Sequence, residues 1–170
     1  KDLGAEILSH LSQAVRVVVL GRPKSGKTSL INMMLGHEIS FSSSDVDIVE
    51  VIFGATAQVT AHWSDGTTQT FAGQTVDSRN NVDIERLTYE MPIDSLRTLA
   101  FCEVSQPNDG TRQQALLEIA LQQGQVFVWW SEAFDQAEQS IWHSVPDAIK
   151  DHSFLALTKL DRQIMKGDLS

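Results

Sequence analysis

Residues 15–30 read VRVVVLGRPKSGKTSL, an apolar β-branched run, a glycine-bounded loop and a helix start in direct succession. The run reads as a buried strand, and its position directly before a glycine turn and a helix start sets the frame for the rest of the chain. Gly21 and Gly26 bracket a G-x-x-x-x-G-K-[ST] spacing, which lets successive backbone N–H groups turn inward around a polyphosphate. Arg22, Pro23, Lys24 and Ser25 fill the loop between them, and Lys27 brings a point charge to the outer phosphates. The Thr28 hydroxyl suits a ligand of hydrated Mg²⁺, Ser29 adds a hydroxyl near the α-phosphate, and the helix opening at Lys27 turns its unpaired amides toward the anion. A plain glycine turn between strand and helix is the competing reading.

A chain of 170 residues is the size of one α/β domain, and without repeats or linkers it reads as a single unit over 1–170. Its formal charge of −9 argues against nucleic acid as a partner, because phosphate-backbone binding needs a dense basic surface. An anionic ligand must then be held by local geometry. The lone Cys102 permits no internal disulfide and fits a reducing, cytoplasmic setting. The five histidines and this cysteine show no metal-ligand spacing, and no serine has the His/Asp company of a nucleophile.

Periodicity predicts an amphipathic helix carrying Leu3, Ile7, Leu8 and Leu11, then a helix over 27–35 stopped by Gly36. In the second helix Leu30, Ile31, Met33, Met34 and Leu35 are expected to form the apolar face. A serine-rich mobile loop is expected over 41–45, with strands over 46–53 and 58–63. A Ser64-Asp65-Gly66 turn should join the latter to a strand over 67–71 as a hairpin. Strands over 85–91, 98–104, 125–130 and 154–158 and helices over 112–122 and 136–150 complete the reading. Strands alternating with helices point to a largely parallel sheet. Trp129, Trp130 and Trp142 read as packing aromatics, with base stacking as the lesser alternative.

The end of the last predicted strand carries Thr158-Lys159-Leu160-Asp161. A carboxylate at Asp161 can accept from the ring N–H and exocyclic amine of guanine, whereas adenine opposes it with an acceptor; the stem of Lys159 would flank the base. Four residues alone are equally a surface Lys–Asp pair. Coupled to the upstream loop, both motifs fall at carboxyl ends of strands, where such sheets bind ligands.

Together these stretches resemble the GTPase domain of the translation-factor-related class, and most of all a bacterial dynamin-like protein. Residues 21–29 match its first motif and 158–161 its fourth; 44–54, 58–66, 90–103 and 134–138 resemble the segments between. The resemblance implies an α/β P-loop NTPase fold with three layers, a mainly parallel sheet having helices on both faces. It implies binding of GTP and GDP with Mg²⁺, Thr28 and Glu103 at the metal, and Thr158, Lys159 and Asp161 at guanine. It further implies self-association through the domain and a cytoplasmic or peripheral membrane role, the membrane contact lying in regions outside this sequence. A complete domain of the type carries closing elements after the fourth motif, so the chain is expected to be a piece of a longer protein.

Three departures qualify that picture. Where D-x-P-G is expected the chain reads Glu103-Val104-Ser105-Gln106-Pro107, without the glycine whose amide senses the γ-phosphate. Ser44, Asp45 and Val46 stand where a metal-binding threonine is expected. Pro23 and Lys24 replace the dynamin glutamine and serine, and Lys24 also occupies the place of a potassium-holding asparagine in related GTPases. Its ammonium can substitute for that potassium ion as the catalytic charge, or face solvent and favour diphosphate. Slow GTP hydrolysis, a scaffold that holds nucleotide without turnover, and an ATP-using P-loop kinase therefore all stand as readings.

Overall fold

The computed structural model describes residues 13–40, 46–76, 83–105 and 110–159, with side chains from 114 onward in the last segment. The predicted N-terminal helix, the serine-rich loop, Gln106, Pro107 and Asp161 lie outside the described residues.

Among the described residues, strands β1 (Val15–Gly21), β2 (Ile48–Phe53), β3 (Gln58–Trp63), β4 (Thr68–Ala72), β5 (Ile84–Met91), β6 (Leu99–Ser105), β7 (Val126–Ser131) and β8 (Ser153–Leu157) form one sheet. Their order is β4-β3-β5-β2-β6-β1-β7-β8. The helices are α1 (Lys27–Leu35), α2 (Gly110–Gln123), α3 (Gln136–Ser144) and α4 (Asp147–Lys150).

Val17 and Val19 of β1 share a core with Ile31 and Leu35 of α1, while Val18 and Leu20 share another with Leu116, Leu117 and Ala120 of α2. Successive side chains of a strand point to opposite faces, so α1 and α2 cover opposite sides of the sheet, and Val18 and Val19 are both fully buried.

The sheet is more mixed than its alternating pattern suggests. β6, β1, β7 and β8 run parallel in succession. β2 is antiparallel to β6 yet parallel to β5, and β3 is antiparallel to both β4 and β5. The connections at 54–57 and 64–67 are too short for the helical crossover a parallel return requires, so this half folds back on itself. The Asp65-Gly66 turn closes as expected, with Gly66 N donating to the Trp63 carbonyl and Gly66 at φ 83°.

Two helix expectations fail for identifiable reasons. The 136–150 helix is broken into α3 and α4 at Val145, which is extended at φ −69°, ψ 133°. Pro146 forces that geometry by clashing with a helical residue before it. In α1, Ile31 and Leu35 are buried but Met33 and Met34 are 72% and 44% exposed. At 100° per residue, consecutive positions cannot share one face.

Candidate phosphate and base site

The loop 21–26 leaves the carboxyl end of β1 between β6 and β7, so its surroundings come from elements far away in sequence. The two glycines serve different needs. Gly26 takes φ +101°, which side chains rarely adopt, whereas at Gly21 a Cβ would lie 2.3 Å from the Trp130 carbonyl oxygen. Lys24 also adopts a left-handed conformation, φ 61°, without a glycine's freedom.

Lys27 is 2% exposed. Its Nζ donates to the Arg22 carbonyl at 2.7 Å and lies 3.8 Å from Glu103 Oε1. Burial pushes its pKa below the ordinary lysine value, with Glu103 only partly opposing the shift. Thr28 Oγ1 donates to Glu103 Oε2 at 2.8 Å. The structure thus brings together Lys27, Thr28 and Glu103, and this pair of hard oxygen donors fits a Mg²⁺ ion, which takes one or two protein oxygens and keeps several waters. Lys24 and Ser29 are exposed at the loop and helix start.

Two strands away, Thr158 N donates to the Ser131 carbonyl at 2.8 Å, which places the start of the second motif beside the end of β7. Lys159, at φ 53°, pairs its Nζ with Glu132.

The segment after β7 supplies contacts that no local pattern announced. Trp130 Nε1 donates to the Ser25 carbonyl at 2.9 Å. Arg22 Nη2 donates to Asp135 Oδ2 at 2.5 Å, and its Nε lies 3.7 Å from Glu138. Asp135 also caps α3, accepting from the backbone N of Ala137 and Glu138, while Glu138 Oε2 accepts from Asp135 N. The Glu138 amide first, then Arg22, holds the Asp135 carboxyl below the usual carboxylate range. The buried Ser131 hydroxyl donates to Glu138 and accepts from Phe134 N, fixing the turn. The D-x-x-E spacing at 135–138 is a signal from which the cap could have been read, but nothing local points to its pairing with Arg22.

Trp129 is core, packed edge-on against Phe134 and Trp142. Cys102 is buried in β6 and burial pushes its thiol up to about 12, so it is not a reactive group. A cavity of about 590 Å³, lined by Arg16, Phe53, Arg97 and Gln125 among others, lies at the opposite, amino-terminal end of β1 and takes no residue from the phosphate loop.

No protein-family model matches the chain, and no curated protein matches it. Solved structures do. One chain described as part of an oligomerised bacterial dynamin pair, with a role in long-range sensing and tethering of membranes, superposes with a TM-score of 0.65 at 10% identity over 84% of this chain. A second chain under the same description gives 0.57 at 20% identity over 94%. A structure of Era from Aquifex aeolicus bound to GDP.AlF4- reaches 0.41 at 14% identity, over 88% of this chain and 42% of its own, too low to bear on the argument. The two dynamin matches show a shared fold. The chain spans only 27% and 28% of those two dynamin chains.

Proposed function

We propose that this chain is the guanine-nucleotide-binding domain of a dynamin-like GTPase, a three-layer P-loop domain that binds GTP and GDP with Mg²⁺. The observation that carries the reading is the convergence of Lys27, Thr28 and Glu103 at the glycine loop, with Thr158 and Lys159 beside the same sheet end. In this reading residues 21–29 hold the phosphates, Thr28 and Glu103 hold the metal, and Thr158, Lys159 and Asp161 select guanine. Magnesium, when bound, neutralises charge between the β- and γ-phosphates. Lys27 positions the outer phosphates and Thr28 fixes the metal's side of the chain. Lys24 supplies the catalytic cation, and Lys24→Asn is expected to make turnover depend on potassium; turnover equally indifferent to potassium in both forms removes that role.

Hydrolysis is slow in isolation and accelerated by assembly, because the sequence motifs supply no credible residue to orient water. Self-association, membrane contact through regions outside this sequence, a cytoplasmic setting and the lack of a nucleic-acid partner belong to the same proposal. The missing glycine after Glu103 favours a second reading, a scaffold that retains nucleotide without turnover.

The experiment is a comparison of GTP and ATP affinity in the wild type and in Asp161→Asn. Loss of a carboxylate that accepts two donors is expected to weaken GTP by about 2 kcal/mol, some thirtyfold, and leave ATP unchanged. Equal affinity for both nucleotides in the wild type would point instead to an ATP-using enzyme.

A further inference from the structure

We propose that Trp130 is a positioning residue for the phosphate loop: its indole N–H holds the Ser25–Gly26 peptide in the orientation that aims the Gly26 amide at a bound phosphate chain. This rests on the nucleotide-binding reading above. Trp130 lies 105 residues from Ser25, at the end of β7, and donates to the Ser25 carbonyl at 2.9 Å. In a trans peptide the carbonyl and the next N–H point in opposite directions. Drawing the Ser25 oxygen to the indole therefore turns the Gly26 N–H away from β7.

That peptide needs a lock. Gly26 sits at φ +101°, and glycine accepts either sign of φ, so rotation of the whole peptide unit meets little resistance there. On the other side Lys24 is itself at φ 61°. The loop's own backbone contributes only a long Ser25 N to Arg22 carbonyl bond of 3.3 Å and the helical Leu30 N to Gly26 carbonyl bond of 3.1 Å among the described contacts. Trp130 touches the loop at three places. Its indole nitrogen meets Ser25, the same nitrogen would lie 3.4 Å from a Cβ on Gly26, and its own carbonyl abuts Gly21. Rigid β7, paired on both sides, thus sets the loop's shape, and Arg22 is pinned to the turn that follows the same strand.

Two variants separate the donor from the ring. Trp130→Phe keeps an aromatic ring and removes the N–H; replacement of Trp130 by benzothienylalanine keeps the bicyclic shape and removes only the donor. Calorimetric titrations with Mg²⁺–GDP and Mg²⁺–pyrophosphate read the effect. Both variants are expected to bind both ligands about five- to tenfold more weakly, one hydrogen bond's worth, with the same factor for each ligand because the base is not involved. Wild-type affinity for both ligands in the benzothienylalanine protein, or a loss confined to GDP, overturns the proposal while leaving the nucleotide reading in place. A wild type that binds neither ligand overturns both.

Discussion

Lys27→Met is expected to lower the affinity for Mg²⁺–GDP by roughly a hundredfold, about 3 kcal/mol, without lowering the thermal midpoint of the ligand-free protein. The two halves of this expectation have separate causes. Binding loses a charge-assisted contact to phosphate from an ammonium that is itself buried. Stability is spared because the folded state is a poor host for the ammonium. Lys27 is 2% exposed, its carboxylate neighbour stands 3.8 Å away, and desolvation depresses its pKa. A cation whose folded pKa lies below its unfolded value costs stability at every pH where the unfolded chain carries the charge, so removing it removes that cost. The hydrogen bond to the Arg22 carbonyl and the cation beside Glu103 are lost with Lys27, and relief of the buried ammonium is expected to offset them; methionine occupies a similar volume, and Glu103 keeps the hydrogen bond from Thr28. A residue whose removal harms binding and not folding is held for function. GDP affinity within threefold of the wild type would strip Lys27 of its assigned role.

Gly21→Ala is expected to act in the opposite way, through the fold. The added methyl would sit 2.3 Å from the carbonyl oxygen of Trp130 and 3.3 Å from its carbon. Both atoms belong to the backbone of β7, which is hydrogen-bonded to β1 and to β8 and cannot shift alone. Overpacking against such a wall is expected to cost about 3 kcal/mol, a fall of roughly 6–12 °C in the thermal midpoint for a domain of this size. Thermal unfolding of the ligand-free variant measures it directly. A midpoint unchanged from the wild type would mean that β1 and β7 do not approach as described, and the seat of the loop would have to be redrawn.

These two residues also show where sequence reasoning reaches. The loop's glycines and lysine were legible because strand, turn and helix follow one another within sixteen residues, and local spacing alone dictates their geometry. Gly36 ended α1 for the same reason, in the left-handed conformation that only a glycine adopts freely. The reason Gly21 is needed was not legible, since its obstacle is a carbonyl more than a hundred residues away. The same distance hid Trp130, which a string of apolar residues presents as simple packing, and the pairing of Arg22 with Asp135. The Asp-Gly turn announced the β3–β4 hairpin, but the antiparallel pairings of β2 with β6 and of β3 with β5 were missed, because alternation of strand and helix was counted along the whole chain although 54–57 and 64–67 hold short connections in place of helices. The break between α3 and α4 was written in the sequence all along, at Pro146.

The acidic segment after β7 adds a constraint of its own. Glu132, Asp135 and Glu138 lie beside a site read as anion-binding, and each is matched to a cation or an amide: Glu132 to Lys159, Asp135 and Glu138 to Arg22 and to the start of α3. In the proposed reading, this local pairing is what would let a chain of net charge −9 present amide donors and Lys27 to a polyphosphate.

Titration of the folded, nucleotide-free protein with GDP in the presence of Mg²⁺, followed by calorimetry, puts the whole reading at risk in one step. Saturable one-site heat with GDP and none with ADP is the predicted result. A flat trace with GDP would contradict it.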